Sequence, residues 1–290
     1  ISGVINVILN LIFVIAFKMD VAGVALATII SQVVSAVLVL ACLMHSDGAI
    51  KLYVKKLRIH KDKLINILSV GLPAGIQGSI FSISNVIIQS SINFFGDAAM
   101  AGSGAGANIE GFIYMAMNSV YQAAITFTSQ NFGAEKYRRI KTVAFECMGL
   151  VTAVGLSLGI IVKLFDTQLL SIYTDVQAEI EFGVIRMSVI LLTYFLDGTM
   201  DVMVGLLRGI GHSVLPTVGT IAFVCGFRML WIFTFFAQYK ASVNNDPAKS
   251  LTVLFLSYPI SWIMATLSHT ICFLVIFGKM VKKAKAEGKW

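Results

Sequence analysis

The sequence predicts an all-α fold, a polytopic transmembrane bundle of about eight helices. Three observations carry that reading. Of the 290 residues, 57% are hydrophobic and only 13% charged, against about 25% charged in a soluble domain. The charges cluster, so that runs such as 21–46, 64–96, 111–134 and 250–278 contain no Asp, Glu, Lys or Arg and exceed the roughly 18–20 apolar residues that cross a bilayer as a helix. The basic residues, finally, collect in every second loop. A β-barrel would read instead as alternating segments of about ten residues.

Along the chain the spans fall at 1–17, 21–44, 68–95, 106–130, 142–165, 184–207, 214–237 and 251–278. The first is short and residue 1 is Ile, so the chain reads as a fragment preceded by an N-terminal part. Loop 45–63 holds Lys51, Lys55, Lys56, Arg58, Lys61 and Lys63, and loop 131–141 holds Lys136, Arg138, Arg139 and Lys141. Arg208 marks the turn 208–213, and Lys279, Lys282, Lys283, Lys285 and Lys289 close the chain. The alternate loops carry only Lys18, Lys240 and Lys249. By the positive-inside rule the basic loops and the C-terminus face the cytoplasm of a plasma (inner) membrane, and the acidic loop 166–183 faces outward. The basic, amphipathic segment 45–67 is the odd connection. It divides the chain into 1–44, the end of a first bundle, the linker itself, a six-helix bundle over 68–278 and a basic tail over 279–290. Two six-helix halves are a common transporter plan.

The net charge of +7 therefore reports topology, and a nucleic-acid partner, which needs a basic face on a folded surface, is not implied. Cys42, Cys147, Cys225 and Cys272 lie in apolar segments without CxxC spacing, so neither a disulfide framework nor a metal site follows. No phosphate-cradling GxxxxGK[ST], HExxH or GxSxG constellation occurs. The chain reads as no enzyme and without a cofactor, and any pumping draws on an ion gradient or on a separate subunit.

The informative polar residues are those left at membrane depth, where a charge is costly and marks a cavity or a partner. Asp197 sits near the middle of 184–207, with Asp201 one turn further on the same face. Two carboxylates so placed in low dielectric repel, which suits a proton or sodium site. The alternative is a structural ion pair, for instance with Arg228 at similar depth. In 106–130, Glu110, Tyr114, Asn118 and Gln122 recur every four residues as one polar stripe, flanked by Met115, Met117 and Tyr121. Span 68–95 carries Gln77, Asn85, Gln89 and Asn93. Such amides serve either as interhelical glue or, with Tyr194 and Arg228, as the wall of a wet cavity whose Met and aromatic side chains adapt to varied substrates. Pro73 and Pro259 bend their spans, and His269 in the last span reads as scaffold.

Four segments then become specific. GLPAGIQGSIFSISNVIIQSSINFFG (71–96) and NIEGFIYMAMNSVYQAAITFTSQNFGA (108–134) resemble the seventh and eighth helices of multidrug and toxic compound extrusion (MATE) transporters. LLRGIGHSVLPTVG (206–219) resembles their turn between helices ten and eleven, and NVILNLIFVIAFKMDVAGVALATIISQ (6–32) their fifth-to-sixth pattern. The resemblance covers the chain from late helix five through helix twelve. It implies the C-terminal six-helix lobe of a two-lobed exporter of amphiphilic, cationic organic compounds in exchange for H+ or Na+, working as a monomer in the bilayer.

It also implies a coupling role for Asp197, which stands eleven residues before Arg208 as a helix-ten Asp does in one branch. That branch has a Glu eight residues after the helix-seven Pro, where this chain has Phe81. Its sodium site is therefore incomplete here, and the pattern is closer to the branch that couples through the N-terminal lobe. A single lobe is expected to be inactive alone. The competing readings are a lipid-linked precursor flippase of the same superfamily, which would line its cavity with several cations, and a non-transporting membrane scaffold, which would have no central cavity.

Overall fold

The computed structural model describes residues 1–48 and 51–287, so Lys289 of the basic tail lies outside the described residues. Helices α1 (Ser2–Ala16), α2 (Asp20–His45), α3 (Lys61–Asn93), α4 (Asp97–Gly133), α5 (Tyr137–Leu164), α6 (Asp166–Leu170), α7 (Gln177–Ile190), α8 (Phe195–Gly209), α9 (Val214–Ser242) and α10 (Pro247–Ala286) follow one another, and the described residues contain no strand. Chain contacts divide them into Ile1–Leu64 and Ile65–Trp290.

In the first unit α1 packs on α2 through a small polar seam. Asn6 donates to Thr28 and to the buried Ser31 at 3.5 and 3.3 Å, side-chain hydrogen bonds between two apolar helices. Past α2 the backbone makes one 3₁₀ turn, Val54–Lys56, and the ammonium groups of Lys51 and Lys56 lie over the Tyr53 ring. The segment expected as a linker up to residue 67 is already helical from Lys61.

In the second unit α4 is the central helix, packed against α5, α7 and α8, while α10 closes on α7 and α8. Among the described residues five helices are long and apolar enough to cross a membrane, and a sixth span forms if α7 with its 3₁₀ extension (Gln177–Thr193) and α8 are taken together. The eight spans read from the sequence thus divide. The segment 1–17 is a shorter apolar helix, and 106–130 lies in α4, which is less apolar than the helices that can cross a membrane on their own. The reason is position. α4 buries Gly102, Ser103, Ala105, Gly106 and Glu110 against neighbouring helices rather than against lipid, and small or paired polar residues are what a helix–helix interface in a membrane selects. The sixth span is broken: a 3₁₀ turn, Leu191–Thr193, interrupts it and the two parts diverge by 47°.

Glycines permit the closest approaches. A Cβ on Gly155 would stand 2.8 Å from the Phe195 Cα, and one on Gly198 2.6 Å from the Val151 side chain, so α5 and α8 meet backbone to backbone. Gly155→Val is expected to cost about 1–3 kcal/mol through overpacking, lowering the melting midpoint of the detergent-purified protein. Gly149→Ala, with nothing within 4 Å of its Cβ, should leave it unchanged; size-exclusion profiles after heating measure both.

Candidate functional site

The break in the sixth span decides where the central carboxylate sits. Because α8 starts at Phe195, Asp197 falls in the first turn of a 15-residue helix rather than in the middle of a continuous one. The positive dipole end of that turn favours an anion there. Asp197 is buried, and Asp201 follows one turn on, half-buried.

Both carboxylates line a cavity of about 600 Å³ between α3 on one side and α4, α7, α8, α9 and α10 on the other. Gln77, Asn85, Gln89, Glu110, Tyr114, Tyr194 and Arg228 line it too. Asn118 and Gln122 do not: Asn118 is half-buried and Gln122 exposed. A helix of 3.6 residues per turn advances about 40° with every step of four, so the stripe that starts at Glu110 has wound well away from the cavity by Gln122. For the same reason Asn93 turns outward and accepts a hydrogen bond from Gln89 at 2.9 Å.

Among the described residues one opposite pair closes within this wall, and the other charges find neutral partners or none. Arg186 donates Nε and Nη2 to the two oxygens of Glu110 at 2.8 and 2.7 Å, and Nη1 to Ser103 at 3.3 Å. Its guanidinium also lies over the Phe255 and Tyr258 rings. Glu110, expected in the cavity wall, lines the cavity as half of a buried bidentate pair that joins α4 to α7. Arg186 lies inside the span 184–207, where its charge is the only signal in the sequence of such a pairing. Arg208, in the last turn of α8, donates to Tyr121 Oη at 2.7 Å and to Gln77 Oε1 at 2.9 Å. Gln77 Oε1 also accepts from Thr217 at 3.2 Å, so one amide ties α3 to α8 and α9.

Arg228 has no carboxylate within ion-pairing distance among the described residues, which removes the proposed ion pair with Asp197. Its Nε donates to Ser261 Oγ at 2.9 Å and its guanidinium lies 4.1 Å from the Tyr258 ring centroid, with Phe81 and Trp262 at 5.8 and 5.7 Å. Stretches of π-helix, Ile221–Gly226 and Ile232–Phe236, flank it in α9; such bulges often accompany functional sites. His269 is buried against Thr220 Oγ1 at 3.1 Å, a hydrogen-bonded scaffold contact. The described residues hold no cluster suited to a metal ion.

Residues 73–234 match the MatE family model, more than half of the chain. The chain belongs to the MATE family. It is 26% identical over 239 residues to the probable multidrug resistance protein YoeA of Bacillus subtilis (strain 168), covering 79% of this chain and 51% of that protein. It is 23% identical over 220 residues to the multidrug export protein MepA of Staphylococcus saprophyticus, covering 76% and 49%. The chain thus spans about half the length of the curated relatives it matches. Its fold matches a MATE crystal structure in the straight conformation with a TM-score of 0.82 at 17% identity, over 97% of this chain and 62% of that one. The MATE transporter ClbM in complex with Rb+ matches with a TM-score of 0.70 at 19% identity, over 92% and 57%. This MATE chain is a multi-pass membrane protein of a transporter family, not an enzyme.

The buried pair gives a stability test. Arg186→Leu or Glu110→Leu alone strands a buried charge, and each is expected to destabilise the protein by about 3–5 kcal/mol. The double substitution should recover most of that loss, read from melting midpoints in detergent.

Proposed function

We propose that this chain forms the C-terminal lobe of a secondary active exporter that moves amphiphilic organic compounds out of the cytoplasm in exchange for H+ or Na+. The observation that carries the reading is Asp197: a buried carboxylate in the first turn of a broken membrane helix, one turn from a second carboxylate, in the wall of a 600 Å³ cavity. A carboxylate at membrane depth marks a proton relay or an ion pathway. Once such a carboxylate takes up a proton or a cation, the wall changes charge, and affinity for a charged substrate changes with it. Tyr114, Tyr194, Phe81 and Met200 supply apolar contact for varied ring systems, and Gln77, Asn85 and Gln89 supply amides. The relatives named as multidrug export and resistance proteins support the substrate class, and the relative seen with Rb+ supports a coupling cation.

We place the basic loops and the C-terminus in the cytoplasm on the strength of the charge asymmetry. The domain reading keeps 1–44 as the end of a first lobe, 45–67 as the basic linker and 68–278 as the six-helix lobe, with two lobes needed for alternating access.

The flippase alternative has one observation in its favour, the three guanidinium groups of Arg186, Arg208 and Arg228 at the cavity. Each of these has carboxylate, amide or aromatic neighbours within the wall, so an excess of positive charge for a lipid phosphate is lacking.

The test is gradient-driven efflux from proteoliposomes containing the full-length protein. The expected result is ethidium efflux on imposing an inward H+ or Na+ gradient, reduced at least about tenfold in Asp197→Asn, the order of loss expected when a group essential to coupling is removed. Asp197→Asn with undiminished, still ion-dependent efflux removes Asp197 from the mechanism, and no efflux by the wild-type protein under either gradient removes the reading.

A further inference from the structure

Glycine in a helix interior is less stable than alanine, so each one asks for a use. In the second unit several find it in helix packing. A Cβ on Gly102, Gly159 or Gly209 would stand under 3.0 Å from an atom of a neighbouring helix, as at Gly155 and Gly198. Gly78 on α3 and Gly111 on α4 are different. Nothing lies within 4 Å of a Cβ at either position, and both line the cavity.

The two positions correspond. Gly78 lies 15 residues before the end of α3 at Asn93, and Gly111 lies 14 residues after the start of α4 at Asp97. At a rise of 1.5 Å per residue, both stand about 21–23 Å along their helices from the turn at 94–96. One turn earlier in each helix a second small residue lines the cavity, Ala74 and Ala107. Small residues four apart normally mark the face on which two membrane helices touch. Here both such faces border open space.

The flanking residues match as well. Gln77 precedes one glycine and Glu110 the other, while Phe81 and Tyr114 follow three positions on, and all four line the cavity. Helices joined by so short a turn run in opposite directions. Phe81 therefore lies about 4–5 Å nearer the turn than the glycine pair, and Tyr114 about 4–5 Å farther from it. The Arg228 guanidinium, 5.8 Å from its centroid, holds the Phe81 ring. The result is a slot with glycine on both flanks and an aromatic ring beyond each end. The buried Asp197 and the half-buried Asp201 open on the same cavity.

A flat, fused-ring cation suits such a slot. Its edges reach the bare backbone of both helices, its ring system meets Phe81 and Tyr114, and its charge shares the cavity with two carboxylates. We propose that Gly78 and Gly111 set the width of the cavity and thereby determine specificity, admitting fused-ring cations that side chains at these positions would exclude. This rests on the reading of the cavity as the substrate site.

The test compares ethidium, with three fused rings, and N-methyl-4-phenylpyridinium, a narrower aromatic cation of the same charge. Equilibrium dialysis against the detergent-purified full-length protein gives both affinities, and their ratio is the readout. Gly78→Leu and Gly111→Leu should each weaken ethidium about ten- to a hundredfold relative to the narrower cation, as a few misplaced methyl groups do in a close-fitting site. Gly78→Ala and Gly111→Ala should shift the ratio the same way by about threefold. Gly75→Leu on α3 and Gly104→Leu on α4 are the controls. Their Cβ positions are equally open but lie off the cavity wall, so the ratio should hold.

The proposal is overturned if leucine at both cavity positions weakens the two cations alike, as glycines serving only helix movement would require. It is equally overturned if the ratio stays unmoved, if the controls shift it as much, or if wild type binds neither cation. Should the leucine substitutions prevent folding, the alanine ratios decide alone. Failure of the export reading shows elsewhere, as absent ethidium efflux under either gradient. A protein that pumps ethidium without this size dependence loses the slot and keeps its function.

Discussion

A charge surrounded by hydrocarbon has no water to fall back on, and the second unit of this protein is organised by that constraint. The Glu110–Arg186 pair is its clearest expression. Two parallel hydrogen bonds of 2.8 and 2.7 Å join α4 to α7, and the stacking of Arg186 on Phe255 and Tyr258 brings α10 to the same point. Geometry of this quality is what lets a buried ion pair offset its desolvation. With that corner set, Gly102 and Gly106 can bring α4 against the backbone and side chains of α7, and the remaining polar groups are left to face inward.

The opposite wall is built differently. α3 meets the rest of the unit through Gln77, which accepts from Arg208 and Thr217, and through Val70, whose carbonyl accepts from Ser213. Ile88 and Ile92 add a small apolar contact near its far end. A helix held by polar contacts at one end and apolar ones at the other leaves a gap between, and that gap is the cavity. Pro73 near the polar end removes a backbone hydrogen bond from the helix. The cavity is thus a consequence of which side chains α3 uses to dock.

Much of this was legible in the chain itself. The existence and order of the membrane helices followed from uncharged runs, because burial of backbone polar groups in lipid leaves a helix as the only local solution. Asp197, Asp201, Glu110, Tyr114, Tyr194, Arg228 and the α3 amides could be singled out as residues whose presence in a span needs a reason. The reading went astray where it extended a period of four too far. Asn118 and Gln122 lie off the cavity because 3.6 residues make a turn and four do not. It also missed Trp262, Tyr258 and Met200 as wall residues, since aromatic and apolar side chains are ordinary anywhere in a span and carry no signal of which face they occupy.

By itself, then, the sequence determined the class of protein, the number of helical segments to within the short first one and the polar α4, and the short roster of charges that had to matter. Pairing was decided in three dimensions. Whether Asp197 meets Arg228 or Glu110 meets Arg186 depends on helix rotations that no single-chain pattern encodes, because residues 76 positions apart come within 2.8 Å only when α4 and α7 pack. The 47° break ahead of Phe195 was likewise invisible: no Pro or Gly announces it. It is packing against α5, where Gly155 and Gly159 admit the backbone of Phe195 and Leu191, that sets Asp197 at the start of a helix rather than in its middle.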